Sequence, residues 1–503
     1  RGVFTARSQE PIEAKGKKQP MQTYLVMRVK PRAFRRPVRG VEGIETRMIG
    51  RVAELTRLQE AFYAAMEDRE LQMVTVVGEA GVGKSRLLQE FDNWAELLPE
   101  QFYLFKGRAA REMQHLPYAL IRDVIAFRFQ IQESDPPAAV REKLEHGMGL
   151  GLKVSESDHL AARVVGRLLG FQLGDGSHLT EVLEDAQEMR DRGLAFLCEY
   201  FEGMAARLPV LVLLEDMHCA DASSLDALEY LTSRLSGQPM LVVCAARPAL
   251  LERRPQWGEA QSFHRRLWLE PMSKRNTRRL LREILQKVEH VPAALSQLVV
   301  AGAEGNPFFV EELVKMLVED GVIVKGEERW RVKPSRLTGV RVPATLRGLL
   351  QGRLDHLSAR DRTVLQQASV VGRLFWDRPV VHISQSLDRG MEEEQVLRSL
   401  SALQDREMVF QREPSAFSDA KEYIFKHALL REVTYEGVLR RRRRIYHGLV
   451  ADWLIDRSGE RAGEYAGLIA DHLEMAGRTA EAVEYLMEAG DRARGLYAHQ
   501  EAI

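Results

Sequence analysis

Eight consecutive residues, Gly78-Glu79-Ala80-Gly81-Val82-Gly83-Lys84-Ser85, carry the pattern G-x-x-x-x-G-K-[ST]. The glycines let the backbone curl until successive N–H groups face one anion, and a helix starting behind them adds the positive end of its dipole. Lys84 supplies a mobile cation for the β- and γ-phosphate oxygens of a nucleotide, and the Ser85 hydroxyl one position around Mg²⁺. The context is right: the run Met73-Val74-Thr75-Val76-Val77 precedes the loop, and helix-compatible Arg86-Leu87-Leu88-Gln89-Glu90-Phe91 follows it. A glycine-rich turn that merely caps a helix is the competing reading, and the full pattern in this context outweighs it.

A loop of this kind needs an acid at the end of a neighbouring strand, to hold Mg²⁺ through water and orient the attacking water. Leu211-Val212-Leu213-Leu214-Glu215-Asp216 has that shape, a buried strand ending in two acids at the edge where open α/β sheets bind ligands. We assign Glu215 mainly to the metal and Asp216 to the water, an order that adjacency leaves exchangeable. Capping the helix from Ser223 onward is the pair's competing role. Arg247 directly follows the apolar run Leu241 to Ala246, so it emerges at the same edge and suits a γ-phosphate sensor; taken alone, a solvated loop arginine is an equal reading. His218 and His427 lack metal-ligand spacing and read by default as packed or hydrogen-bonded.

These groups require a sheet to hold them. Leu55, Leu58, Phe62 and Met66 recur at helical spacing from Val52 to Asp68, and apolar runs at Met73–Val77, Phe102–Phe105, Val210–Leu214 and Met240–Ala245 alternate with helical stretches. Such alternation predicts a parallel sheet covered on both faces. After Leu269-Glu270-Pro271 the pattern turns to helices broken at Val291-Pro292 and Gly305-Asn306-Pro307. From Thr345 it runs helix, helix, helix, then two β-like runs at Met408–Gln411 and Glu422–Phe425, then helix, the order of a winged helix. From Ala462, residues Ala466, Ile469, His472, Leu473, Ala480, Ala482, Tyr485 and Leu486 recur at helical spacing, with turns expected at Gly477 and Gly490. That predicts the opening of a helical repeat array. The fold class is thus an α/β P-loop core, a helical lid, a winged helix and the start of an α-helical array. The expected domains are a preceding piece and linker over 1–40, the core over 41–272, the lid over 273–340, the winged helix over 341–455 and repeats over 456–503.

The 503 residues hold 72 Lys and Arg against 72 Asp and Glu, so no whole-protein field grips nucleic acid or an anionic membrane. Five arginines, Arg440 to Arg444, invite a nucleic-acid reading, but on a helix they spread around the circumference. With Leu439, Ile445, Leu449 and Leu454 as a nearby apolar face, an exposed charged helix that contacts a partner is favoured. Cys198, Cys219 and Cys244 show no C-x-x-C spacing, which fits a reducing cytoplasm, and no apolar run approaches the roughly 20 residues of a membrane span. The chain starts at Arg1 rather than Met and stops at Ile503 within a helical pattern, so a piece of a longer polypeptide is expected.

Arg47-Met48-Ile49-Gly50-Arg51-Val52-Ala53-Glu54-Leu55, the phosphate loop, Leu214-Glu215-Asp216-Met217-His218-Cys219-Ala220-Asp221, Ala246-Arg247-Pro248 and Gly305-Asn306-Pro307-Phe308-Phe309-Val310-Glu311-Glu312-Leu313 occur in that order. Over roughly residues 45–455 the chain resembles the signal-transduction ATPases with numerous domains, the STAND class, and in particular modules that follow bacterial class III adenylate or guanylate cyclase domains. The resemblance implies binding of ATP and ADP with Mg²⁺ by the core loop from Gly78 through Arg86. It implies that Ile49, Gly50 and Arg51 line adenine and ribose, that Pro307 packs on adenine, that Arg247 senses phosphate and that His427 approaches the β-phosphate of ADP. Cys219 departs from the tryptophan usual in cyclase-linked relatives. Residues Glu13 to Val26 look like the last hairpin of such a cyclase. The implied function is a slow ATPase switch fused to a cyclase, with a protein partner on the C-terminal repeats and nucleotide-dependent self-association. A DNA-binding regulator driven by the same core is the rival class.

Overall fold

The computed structural model describes residues 4–8, 24–29, 40–41, 44–110, 113–132, 135–152, 157–174, 186–259, 261–326, 328–337, 340, 342–388, 390–412, 415, 417, 419–459, 462–496 and 498. Five strands, Gln72–Val77, Tyr103–Arg108, Val210–Glu215, Met240–Ala246 and His264–Trp268, form one parallel sheet. The phosphate-loop strand Gln72–Val77 lies between Met240–Ala246 and His264–Trp268, and Val210–Glu215 separates Met240–Ala246 from Tyr103–Arg108. Val74, Val76, Leu211 and Leu213 face helices Val52–Glu67 and Lys84–Ala95, while Met73, Phe105, Val212 and Leu214 face helices Ala119–Phe129, Ala186–Arg207 and Ala222–Arg234. Burial on both faces is why these strands read as unbroken apolar runs.

The sequence reading stopped Tyr103–Arg108 at Phe105 and missed His264–Trp268. Pairing with Val210–Glu215 carries the first strand on until Arg108 lies opposite Glu215. The second is an edge strand with Arg265 and Trp268 exposed, so it lacks an apolar run.

The lid helices Lys274–Ile284, Ala293–Ala303 and Pro307–Glu319 break where the prolines and Gly305 indicated. The Asn306 side chain caps the third by accepting from the Phe308 and Phe309 amides, with Pro307 in the first helical position, where no N–H is needed. Beyond the lid a second domain, with its own buried core, holds helices Leu346–Asp355, Ala359–Val371, Asp377–Leu387 and Glu393–Asp405, then Ala428–Glu436 and Arg440–Ser458. Strands Leu374–Trp376 and Val409–Arg412 flank Glu422–Phe425 in an antiparallel sheet. Two helices and one strand here exceed the expected pattern.

In the tail, Ala462–Ala476 and Thr479–Gly495 form a helical hairpin turning at Gly477, whose φ is 82°. Gly490 lies inside the second helix rather than at a turn, and Ala480 and Leu486 are exposed rather than inward. Ile469, Leu473 and Ala482 join the core of the second domain, while Ala493, Leu496 and Ala498 pack into the core of the α/β domain. Arg440, Arg441, Arg442 and Arg444 are exposed at a helix N-terminus; Leu454 is buried, but Leu439 and Ile445 face solvent. Of the cyclase-like segment, Tyr24–Val29 is a strand paired antiparallel with Phe4–Ser8, and residues 9–23 lie outside the described residues.

Lid and second domain share buried charges. Lys315 reaches Glu312 at 3.1 Å and Glu407 at 2.9 Å, Lys426 reaches Glu407 at 2.7 Å, and Arg353 pairs with Glu312 and, at 3.0 Å, with Glu319. Burial alone would raise the Glu312 carboxyl, but Arg353 and Lys315 hold it far below the usual range. Deleting one member of such a set leaves its partners charged and dry, at a cost of roughly 3–5 kcal/mol. Glu312→Ala is therefore expected to lose about that much stability in urea unfolding, measured at neutral pH. Because the folded value is depressed, wild-type stability from this carboxylate is present above the ordinary Glu range and is lost as pH falls; the variant's deficit should shrink in acid.

Candidate functional site

The sheet register decides what meets at its C-terminal edge. Val77 lies opposite Ala246 and Arg108 opposite Glu215, so Gly78, Arg247, the acids and Arg108 leave the sheet side by side. The phosphate loop is bound through its carbonyls. Lys84 Nζ donates to the oxygens of Gly78 at 2.7 Å and Glu79 at 2.8 Å; Asn306 Nδ2 donates to Ala80 O at 3.0 Å, and the Phe308 amide to Gly81 O at 3.3 Å. Arg51 Nη2 donates to Val82 O at 3.2 Å and to Glu270 O at 2.5 Å. Five successive carbonyls are thus anchored from below, from the lid and from the segment before the first helix.

Gly81 and Gly83 take φ of 80° and 106°, a region that L side chains avoid. A Cβ at Gly81 would stand 2.7 Å from Asn306 Oδ1, whereas beside Gly83 the space is open, as a loop that cradles a phosphate requires. Gly50, with φ of 69°, has no room either, because a Cβ there would meet Asn276 Nδ2 at 2.4 Å. Ile49 packs with the lid core, so Ile49, Gly50, buried Arg51, Asn306 and Pro307 stand where lid and core meet. Arg86 is turned away, bound to Thr46 O and, at 2.8 Å, to Glu90. It secures the entering chain instead of facing the open space.

Both acids are ion-paired. Arg108 Nη2 meets Glu215 Oε2 at 2.7 Å; Arg373 Nη1, from the second domain, meets Asp216 Oδ2 at 2.9 Å. Burial alone would raise the Asp216 carboxyl, but Arg373 and then Arg108 outweigh it and hold it below its ordinary value. The backbone of Asp216 is left-handed, φ 57°, which turns the chain sharply off the strand into the short helical turn Met217–Cys219. Neither acid caps the following helix; Asp221 does, accepting from the Ser224 amide at 2.7 Å and the Tyr118 amide at 2.9 Å. Burial and then neighbouring Arg247 lower Lys84 to about 8, against opposing pulls from Asp216 and Glu79. Burial likewise pushes His218 down to about 4, so it is neutral near pH 7. Arg247 faces Glu432 of the second domain at 3.7 Å. The His427 ring lies 3.7 Å from that of Phe308, one layer behind the lid residue that touches Gly81.

Lys84, Arg108, Arg247 and Arg373 gather beside Glu215 and Asp216, cations of the kind a polyphosphate draws on, and the Ser85 hydroxyl with the two acids is the hard oxygen set that Mg²⁺ takes. Arg108 and Arg373 were missed. The first could have been found by extending its strand three residues; the second sits over a hundred positions from its acid, with no local signal.

Residues 47–243 match the AAA ATPase domain family. An uncharacterized protein of Rhizobium meliloti (strain 1021) is 26% identical over 437 residues, covering 86% of this chain; the chain spans 39% of that relative's length. Among solved structures, Aeropyrum pernix ORC1 in complex with DNA overlaps 78% of this chain and 94% of its own at 15% identity and a TM-score of 0.35. Cdc6p from Pyrobaculum aerophilum overlaps 82% and 96% at 12% identity and a TM-score of 0.34. Both overlaps are loose. Among the described residues no helix is long and apolar enough to cross a membrane.

Two outcomes follow for Lys84. Lys84→Ala should abolish most ATP binding in a labelled-nucleotide assay while the chain still folds, its melting temperature lowered by the loss of the contacts to Gly78 O and Glu79 O. Because phosphate favours the charged amine, binding above pH 8 must take up a proton, so affinity should fall as pH rises from 8 to 9.5. Titration calorimetry at pH 8.5 in two buffers of different ionisation enthalpy measures that uptake directly.

Proposed function

Taking residues 47–243 as an AAA ATPase domain, we propose that the chain is a nucleotide switch that binds ATP with Mg²⁺ and hydrolyses it slowly, within a multidomain bacterial signalling protein. The observation that carries this reading is the phosphate loop, its carbonyls anchored by the lid and its open side flanked by Lys84, Arg247 and two acids. Ser85, Glu215 and Asp216 would hold Mg²⁺, which when bound supplies neutralisation of phosphate charge. Lys84 and Arg247 bind and orient the phosphates, and Ile49, Gly50, Arg51 and Pro307 enclose the base and ribose. Asp216 holds the attacking water and accepts its proton. His427 stands ready to follow the state of the phosphates through Phe308 and the loop. Residues of three segments converge on one ligand, so binding is converted into domain arrangement to the extent that the ligand prefers one arrangement.

The regulated output in this reading is a cyclase domain preceding residue 40, and the tail hairpin opens the repeats that receive a protein partner. Exposed Arg440, Arg441, Arg442 and Arg444 support a second reading, a DNA-binding regulator, which salt-dependent binding of duplex DNA would reveal.

Hydrolysis separates the acids. Asp216→Asn should still bind ATP with Mg²⁺ but turn it over at least ~10²-fold more slowly, the scale of a lost acid–base group. Glu215→Gln should instead raise the Mg²⁺ concentration needed for half-maximal binding. Exchanged behaviour would reverse the two roles, and unaltered turnover in both would remove this edge of the sheet from the chemistry.

A further inference from the structure

The lid carries one face whose charges work against its own helix. Helix Lys274–Ile284 turns Thr277, Leu280, Leu281 and Ile284 inward and leaves Lys274, Arg275, Arg278, Arg279 and Arg282 exposed. At 3.6 residues per turn those cations fill an arc of about 140° along ~12 Å of axis. Among the described residues none of them meets a carboxylate or a carbonyl, whereas the acid of this helix, Glu283, lies outside the arc and faces Arg47 at 3.7 Å. Lys274 with Arg278, Arg275 with Arg279 and Arg278 with Arg282 are like charges one turn apart, and each such pair weakens a helix. Lys274 and Arg275 also stand in the first turn, where the helix dipole disfavours cations and no acid offsets them. The helix therefore holds its shape through its buried side, and its outer side gains stability when anions cover it.

We propose that this face of the lid binds the phosphate backbone of a duplex nucleic acid without reading its sequence. All but one of the cations are arginines, which pair with phosphate through two parallel hydrogen bonds. A duplex carries a charge for about every 1.7 Å of axis, so the length of this face passes about seven phosphates. Cations spread around a cylinder fit a concave anion, the two margins of the arc facing the two strands that wall a groove. A lipid surface is flat and would engage only the middle of the arc. Leu280, Leu281 and Ile284 are buried, so no apolar side chain of this helix is left to enter a bilayer. Single strands are gripped by stacking their bases on aromatic rings, and Lys274–Ile284 contains none. The inference needs neither the ATP reading nor Arg440 to Arg444, which lie in the second domain.

The test is fluorescence anisotropy of a labelled duplex of arbitrary sequence, titrated with the full chain in the absence of nucleotide. Affinity should fall roughly 10²–10³-fold between about 50 and 200 mM salt, the dependence expected when about four or five phosphates are neutralised. The variant Arg275→Gln, Arg278→Gln, Arg279→Gln should bind at least about tenfold more weakly and lower the salt slope by about three. Its melting temperature should stay equal or rise, because repulsion within the helix is removed. Arg275→Lys, Arg278→Lys, Arg279→Lys, which keeps the charges, should retain the slope and most of the binding. Arg440→Gln, Arg441→Gln, Arg442→Gln should bind as the wild type does. A wild-type chain that leaves the duplex free at low salt overturns the proposal, and so does binding that is lost in the Arg440 variant but kept in the lid variant. Tighter binding to phosphatidylserine vesicles or to polyglutamate than to the duplex, at equal charge concentration, assigns the face to a membrane or an acidic protein and overturns the duplex. With no nucleotide present, none of these outcomes bears on the ATP reading.

Discussion

Five consecutive carbonyls, Gly78 to Val82, each accept a hydrogen bond, and the remaining architecture is arranged around that fact. A loop with two residues at positive φ does not hold its curl unaided, because a glycine-rich segment loses much conformational entropy on being fixed. The donors come from everywhere the chain can bring them: Lys84 from the helix that follows, Arg51 from the start of the first helix, Asn306 and Phe308 from the lid. With the carbonyls occupied, the Gly78 amide donating to Ala246 O at 3.2 Å and the Val82 amide to Glu79 O at 3.4 Å, the loop's shape is decided before any ligand arrives. The lid is part of the wall that gives the phosphate loop its form.

Much of this was legible in the sequence, for physical reasons. Doubly buried parallel strands leave unbroken apolar runs, and the two glycines at positive φ can be nothing else without strain, so loop, strand and acids could be read directly. What escaped reading depended on partners remote in sequence. His264–Trp268 pairs on one side only and therefore carries the composition of a loop. Arg108 was invisible once its strand was ended at Phe105. Arg373 and Glu432 have no local signature, because an ion pair spanning 157 positions is a property of packing. The tail misled only in part: Ala466, Ile469, Leu473 and Ala482 of the helical pattern are buried, but Ala480 and Leu486, which share its spacing, face solvent.

The edge of the sheet concentrates charge of both signs. Lys84, Arg108, Arg247 and Arg373 stand among Glu79, Asp123, Glu215, Asp216 and Glu432, and the Lys84 amine is lowered by burial and then by Arg247. An anion arriving there relieves repulsion as well as gaining contacts, so part of the binding energy is already stored in the arrangement of the cations. The strained turn at Asp216 belongs to the same economy of position, since it fixes the carboxylate within reach of both Arg108 and Arg373.

What lies buried decides which contacts between the domains are strong. Lid and second domain are joined by Glu312, Lys315, Arg353, Glu407 and Lys426, and separating them would strand charges at several kcal/mol each. The tail adheres to the second domain through Ile469, Leu473 and Ala482, and to the α/β core through Ala493, Leu496 and Ala498, a contact of Asp471 with His115 at 3.2 Å and a hydrogen bond from Arg492 to Gly170 O at 3.3 Å. Moving a two-state equilibrium from one side to the other takes about 5.5 kcal/mol of differential affinity. Across the sheet edge stand two part-exposed ion pairs, the lid's hydrogen bonds to Ala80 and Gly81 at roughly 0.5–1.5 kcal/mol each, and the tail's contacts, while the buried charge set ties the lid to the second domain more strongly than any of these. The lid cannot leave the sheet edge without releasing the carbonyls of Ala80 and Gly81, so the shape of the phosphate loop and the position of the lid are coupled.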